Sequence, residues 1–172
     1  MTKIFATIIA FLLMIFPESG TLQIYQWQLD FPGEKAVAEE IIDAIKDKDV
    51  DVLMNMYAEI SKSTGEVTEE NLENFIKTIK GDIIESQYNG CDSSDKIAYG
   101  SGTQTRQIKI KIKTTDDTYD VYASWVIVDT DNPENIGLLQ LTLFPDIISW
   151  EEYEGPLAQI PLKESLKNMD NN

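Results

Sequence analysis

Histidine is absent from the chain, and cysteine occurs once, as Cys91. Without histidine, the side chain that titrates nearest neutral pH and the commonest metal ligand are both missing. With one cysteine, neither an internal disulfide nor a thiolate zinc site can form. The thiol sits in "NGCDSSD", whose acidic groups raise a thiol pKa, so Cys91 is expected as a loop residue without nucleophilic work. Basic residues are also scarce: 14 Lys and Arg stand against 30 Asp and Glu, for a net charge of −16. Both halves of the chain share the excess. A field of that sign repels phosphate backbones, which argues against nucleic acid as a partner, and it disfavours docking on anionic lipid surfaces. No stretch carries a catalytic signature, and no metal or cofactor is expected.

Long apolar runs are lacking except at the start, in "MTKIFATIIAFLLMIFPESG". As a helix, Ile4 to Phe16 would be roughly 20 Å long, short of the ~30 Å hydrocarbon core of a bilayer. A basic Lys3, a short apolar run and a polar, small-residue end predict that residues 1–20 are a secretory signal or an N-terminal membrane anchor. The protein is then extracytoplasmic, secreted or held to a membrane by this segment alone. "ESGT" is similar to the end of a bacterial lipoprotein signal, but Thr21 stands where the acylated cysteine would be, so no thioether lipid can be attached.

What remains is rich enough to fold: 42% of residues are apolar, including three Trp, seven Tyr and six Phe. In "YQWQLDF", Tyr25, Trp27, Leu29 and Phe31 alternate with polar residues, which predicts an extended lead-in over residues 21–34 ending at Pro32-Gly33. Three amphipathic helices are expected next, each with an i, i+3, i+4, i+7 stripe. The stripes are Ala38, Ile41, Ile42 and Ile45; then Leu53, Met56, Tyr57 and Ile60; then Leu72, Phe75, Ile76 and Ile79. Thr68 suits the N-cap of the third, Val67 and Leu72 its hydrophobic staple, and Gly81 its stop.

Asp47, Asp49 and Asp51 alternate in "IKDKDVDVL" like the start of a calcium loop. An EF-hand beginning at Asp47 needs glycine at its sixth position and glutamate at its twelfth, where the chain has Val52 and Ala58. Asp49 is instead expected to cap the second helix, with Asp51 in its first turn. "DTDNPEN", Asp129 to Asn135, is likewise broken for calcium by Pro133 and reads as a loop between strands.

From Asp82 the period changes from 3.6 to 2. Ile83–Tyr88 is expected as a strand, with "NGCDSSD" a loop and "IAY", Ile97–Tyr99, a short extra strand. In "RQIKIKIK", Ile108, Ile110 and Ile112 face in while Lys109, Lys111 and Lys113 face out. Tyr119, Val121, Ala123, Trp125 and Ile127 share one parity of the next strand, and Leu139, Leu141 and Leu143 one face of the last. Short links imply an antiparallel meander. Residues 35–146 then form one domain and 147–172 an extension, expected to be mobile after about residue 157.

Helices followed by a curved antiparallel sheet, with "AEEIIDAIKDKDVDVLMNMYAE" opening the helical part, resemble the nuclear transport factor 2-like superfamily. More narrowly, this joint, "GDIIES" and "DNPENIGLLQL" resemble an uncharacterised family of small Gram-positive extracytoplasmic proteins, mostly predicted lipoproteins. The resemblance covers roughly residues 35–144. It implies an α+β cone with three N-terminal helices packed on the sheet, and it brings no catalytic residues.

Such a cone often leaves a pocket at its open end. Arg106 shares the parity of Ile108, Ile110 and Ile112, Tyr119 and Trp125 lie on the apolar parity of the next strand, and Tyr57 belongs to the second helical stripe. These four are the candidate pocket residues, for a small amphipathic or anionic ligand; otherwise the aromatics fill the core and Arg106 pairs with an acidic neighbour. Lys109, Lys111 and Lys113 form the one dense basic strip, a candidate face for a homodimer or an acidic partner. The inward parities carry no carboxylate, so a small-molecule enzyme of steroid-isomerase type ranks below a ligand-binding or scaffolding module. A filled interior favours an interaction module; an open apolar pocket favours a ligand.

Overall fold

The computed structural model describes residues 20–98, 101–146 and 155–161. The expected signal or anchor at residues 1–20 lies outside them but for Gly20, and so does much of the 147–172 extension. Among the described residues the chain is α+β, with five helices preceding an open five-stranded antiparallel sheet. No described helix is long and apolar enough to cross a membrane.

The lead-in is not extended. Gly20–Asp30 forms helix α1, and a second period hidden in the same residues explains why. Ile24, Trp27, Gln28 and Phe31 recur at i, i+3, i+4 and i+7, and this stripe finds partners. Ile24 packs with Ile127 and Val128, the Phe31 ring lies 6.1 Å from Trp125, and Gln28 Nε2 donates to Gln104 Oε1 at 2.8 Å. Tyr25 and Leu29, half of the alternating set, are exposed. Contact with the sheet, not local alternation, decides the state.

Helix α2, Glu34–Asp47, buries Val37, Ala38, Ile41, Ile42, Ala44 and Ile45. It ends at Lys48, held in the left-handed region at φ 58°, ψ 35°. Asp49 then accepts from Val52 N–H at 3.0 Å and caps α3, Val50–Met56, with Asp51 in the first turn as expected. The second helix does not continue to Ile60. Tyr57 is extended, its backbone bridges Leu138, and Ala58 N–H donates to Leu138 O at 2.9 Å. Gly137 allows this approach: at φ +125°, a Cβ there would stand 3.2 Å from both Ala58 N and Met56 O. Glu59–Ser63 resumes as α4. Helix α5, Glu69–Thr78, is capped by Thr68, which accepts from Asn71 N–H at 3.2 Å, and the staple residues Val67 and Leu72 are both buried. It stops at Thr78 with Ile79 extended, so Gly81 serves the turn into the sheet instead of ending the helix itself.

The sheet runs β1 (Ile83–Ala98), β2 (Ser101–Thr114), β3 (Thr118–Asp129), β4 (Gly137–Pro145) and β5 (Ala158–Ile160), each pairing with the next. Its inner face is in register: Ile108, Ala123 and Leu141 form one row, and Ile110, Val121 and Leu143 another, all at 0% exposure beneath α2 and its neighbours. Each fully buried Ile or Leu is worth roughly 1.5–3 kcal/mol.

Two further expectations fail here. "NGCDSSD" is no loop but part of β1, which stays paired to β2 through a bulge between Tyr88 and Cys91 at Asn89 and Gly90 (φ +104°). The bulge absorbs residues that read as a turn. A second bulge, between Ser124 and Trp125 opposite Gln140 and Leu138, turns Leu138 inward in place of Leu139. Buried Ser61 donates to the bulged Leu139 carbonyl at 2.8 Å, so no acceptor is stranded. Ala158–Ile160, within the stretch expected to be mobile, pairs with Leu141–Leu143 as β5. The loop at Asp129–Asn135 is as expected. Buried Asp129 accepts from the N–H groups of Asp131 (3.2 Å) and Asn132 (2.9 Å) and from Asn135 Nδ2 (2.7 Å), around a 3-10 turn at Pro133–Asn135.

Candidate functional site

Among the described residues, none of the four candidate pocket residues lines the three clefts at the helix and strand edges. Tyr57, 2% exposed at the α3–α4 break, donates its hydroxyl to Ile160 O at 3.0 Å and so ties the helices to β5. Burial pushes its pKa far above the ordinary tyrosine value, against the pull of a backbone hydrogen bond from Leu141. Tyr119 is equally buried, and its hydroxyl accepts from Lys80 N–H at 3.1 Å. Trp125 leans on Phe31, just past the end of α1. Arg106 faces Trp125 across the β2–β3 register but is occupied by carboxylates: Nε reaches Glu34 at 3.1 Å and Nη1 reaches Asp95 at 2.6 Å. Burial alone would lower its pKa; the Asp95 and Glu34 contacts hold it above the ordinary arginine value. Cys91 lies in the same neighbourhood, its thiol pKa raised by burial and then by Glu34, which keeps it protonated and a poor nucleophile.

On the outer face, the lysine strip is largely neutralised from within the chain. Lys109 pairs with Asp92 at 2.7 Å, and Lys111 reaches Asp146 at 3.0 Å and Asp120 at 3.8 Å. Those contacts raise both lysine pKa values, while burial raises that of Asp120 against the pull of Lys111. Lys113 has no carboxylate within 4.0 Å among the described residues.

Open space lies elsewhere. A cleft of about 1010 Å³ opens where the ends of α2 and α5 meet the start of β1 and the β2–β3 turn. That is the upper end of the range of about 300–1,000 Å³ typical of small-molecule sites. Ile45, Ile76, Ile79, Val50 and Ile83 supply its apolar lining, and Lys46, Lys48, Lys77 and Lys80 its cationic groups. The sequence builds this by a repeated step. Ile45-Lys46, Ile76-Lys77 and Ile79-Lys80 each follow a core-facing isoleucine with a lysine one position round. Lys77 is held by Glu73 at 2.6 Å; Lys46, Lys48 and Lys80 have no carboxylate within 4.0 Å among the described residues. Asp82 and Asp116 also line it. Sequence reasoning missed this cleft. Its signal was the pair of lysine-tipped helix ends, "AIKDK" and "FIKTIKG", which read separately as ordinary C-terminal charge. Among the described residues, no group of three or more Cys, Asp or Glu is placed to hold a metal ion.

A family model for a domain of unknown function, DUF5104, matches residues 40–149. The chain belongs to the DUF5104 family. A search of curated proteins returned no match. The DUF5104 region takes in most of α2, the helices through α5, the sheet through β4, and every lining residue of the cleft; α1 and β5 fall outside it.

Proposed function

We propose that this DUF5104 chain is an exported, non-catalytic module that binds a small ligand, and that the ligand sits in the cleft at the end of the helix–sheet sandwich. Carrying this reading is one contrast. The inner face is packed solid, with Ile108, Ile110 and Ile112 at 0% exposure, whereas the cleft beside it leaves room for a drug-sized molecule between apolar and cationic walls. The helix-first order, the meander and the strand bulges that bend it support a nuclear transport factor 2-like cone. Export rests on the composition of residues 1–20.

Native mass spectrometry of protein purified without denaturant tests the reading. A retained small molecule is expected, and its loss in Val50→Trp, which fills the cleft from its rim, with the far-UV spectrum preserved. Retention undiminished in that variant would place the ligand elsewhere.

A scaffolding role through the outer face is the second reading, for a homodimer or an acidic partner. Tyr122 and Phe144 favour it, stacked edge to face at 5.2 Å on that side of the sheet. Light scattering of the chain and of Tyr122→Ser decides it: a dimer lost on substitution supports the outer face, and a monomer in both removes it.

A further inference from the structure

Resting on that reading of the cleft, we propose that its ligand is a single-chain amphiphile with an anionic head, the head held by Lys46, Lys48 and Lys80 and the chain laid along Ile76, Ile79 and Ile83. Two independent observations lead there. The first is charge. On a molecule of net charge −16 with only 14 basic residues, four lysines converge on one cleft, and three of them lack an ion-pair partner among the described residues. All three are exposed and hydrated in the free protein, and an anion entering the cleft exchanges that water for charge-assisted hydrogen bonds while the lysine stems add to the apolar wall.

The second observation is backbone strain. Among the described residues, Lys48 is the one non-glycine residue at positive φ (58°). It closes α2 at a position where glycine or asparagine is ordinarily found, because a Cβ is disfavoured there. Its N–H bonds back to the α2 carbonyls of Ala44 and Ile45, which glycine would do equally well. The cap's backbone bonds therefore do not require a lysine at this point; beyond a positive charge suited to the helix C-terminus, it adds a long side chain. Its side chain, a lining group of the cleft, is what the strain retains.

Isothermal titration with laurate, acetate and dodecyl maltoside separates head from tail. Laurate is expected to bind with one-to-one stoichiometry, and acetate and the neutral maltoside at least ten-fold more weakly. A Lys46→Gln, Lys48→Gln, Lys80→Gln variant is expected to lose at least ten-fold in laurate affinity. Lys48→Gly is the variant that cannot fail through misfolding: its melting temperature is expected to hold or rise while laurate binding weakens several-fold. Sedimentation with phosphatidylglycerol vesicles distinguishes a free amphiphile from a lipid headgroup in a bilayer. Binding to those vesicles without binding of laurate overturns the proposal. Equal affinity for laurate and dodecyl maltoside, or undiminished laurate affinity in the triple variant, overturns the anionic head while leaving the cleft as a binding site. No molecule retained in native mass spectrometry and no laurate binding overturns both.

Discussion

Removing the Tyr57 hydroxyl separates a structural role from a ligand-binding one. In Tyr57→Phe the ring keeps its place, but the Ile160 carbonyl loses a buried donor at 3.0 Å. A neutral hydrogen bond is worth about 0.5–1.5 kcal/mol net, and an orphaned buried acceptor costs about 1–3 kcal/mol. Tyr57 is 2% exposed and β5 has only three residues to relax, so a loss of about 1–2 kcal/mol is expected. For a domain of this size that is a fall in melting temperature of about 3–6 °C. Urea unfolding should show a lower midpoint at unchanged slope, and amide exchange should quicken first in β5. The hydroxyl also makes stability depend on alkaline pH. Its pKa is raised on folding, so the folded state keeps a proton that the unfolded state releases near the ordinary value of 10. Stability is therefore fully present below pH ~10 and declines as pH rises beyond it, a decline that Tyr57→Phe removes in part. Ligand retention should be unaffected. Unchanged stability together with lost retention would refute the structural assignment and return Tyr57 to the ligand.

Other substitutions probe the remaining parts. Ile110→Ala, at the centre of the inner face, should cost about 2–5 kcal/mol by chemical denaturation. Gly81→Ala places a Cβ 2.6 Å from Thr115 Oγ1 at φ +83° and should cost about 1–3 kcal/mol, read as a fall in melting temperature. Arg106→Met strands Glu34 and Asp95 without their shared cation. It should destabilise by about 1–2 kcal/mol at neutral pH, and laurate titration should show no change. Lys109→Gln with Lys111→Gln removes surface pairs only and should shift stability by about 1 kcal/mol or less.

Local rules determined much of this chain. The aspartates of "IKDKDVDVL" resolve into a helix cap and a first-turn charge because the groups that satisfy them lie within three residues. The strict alternation of Ile108, Ile110 and Ile112 with lysines admits one buried face. Thr68 and Val67 start α5 for equally local reasons. Tertiary structure decided what depends on partners far along the chain. Residues Tyr25–Phe31 carry both a two-residue and a helical period, and only Ile127, Val128 and Trp125, about a hundred positions on, choose between them. The α3–α4 break answers to Gly137, and the inward turn of Leu138 to a bulge whose carbonyl Ser61 satisfies. The candidate site divides the same way. Parity correctly put Arg106 and Trp125 on one face, but it could not show that Glu34 and Asp95 would occupy the guanidinium. Nor could it bring together the lysines of two helix ends some thirty residues apart, since a cleft belongs to the docking of elements and to none of them singly.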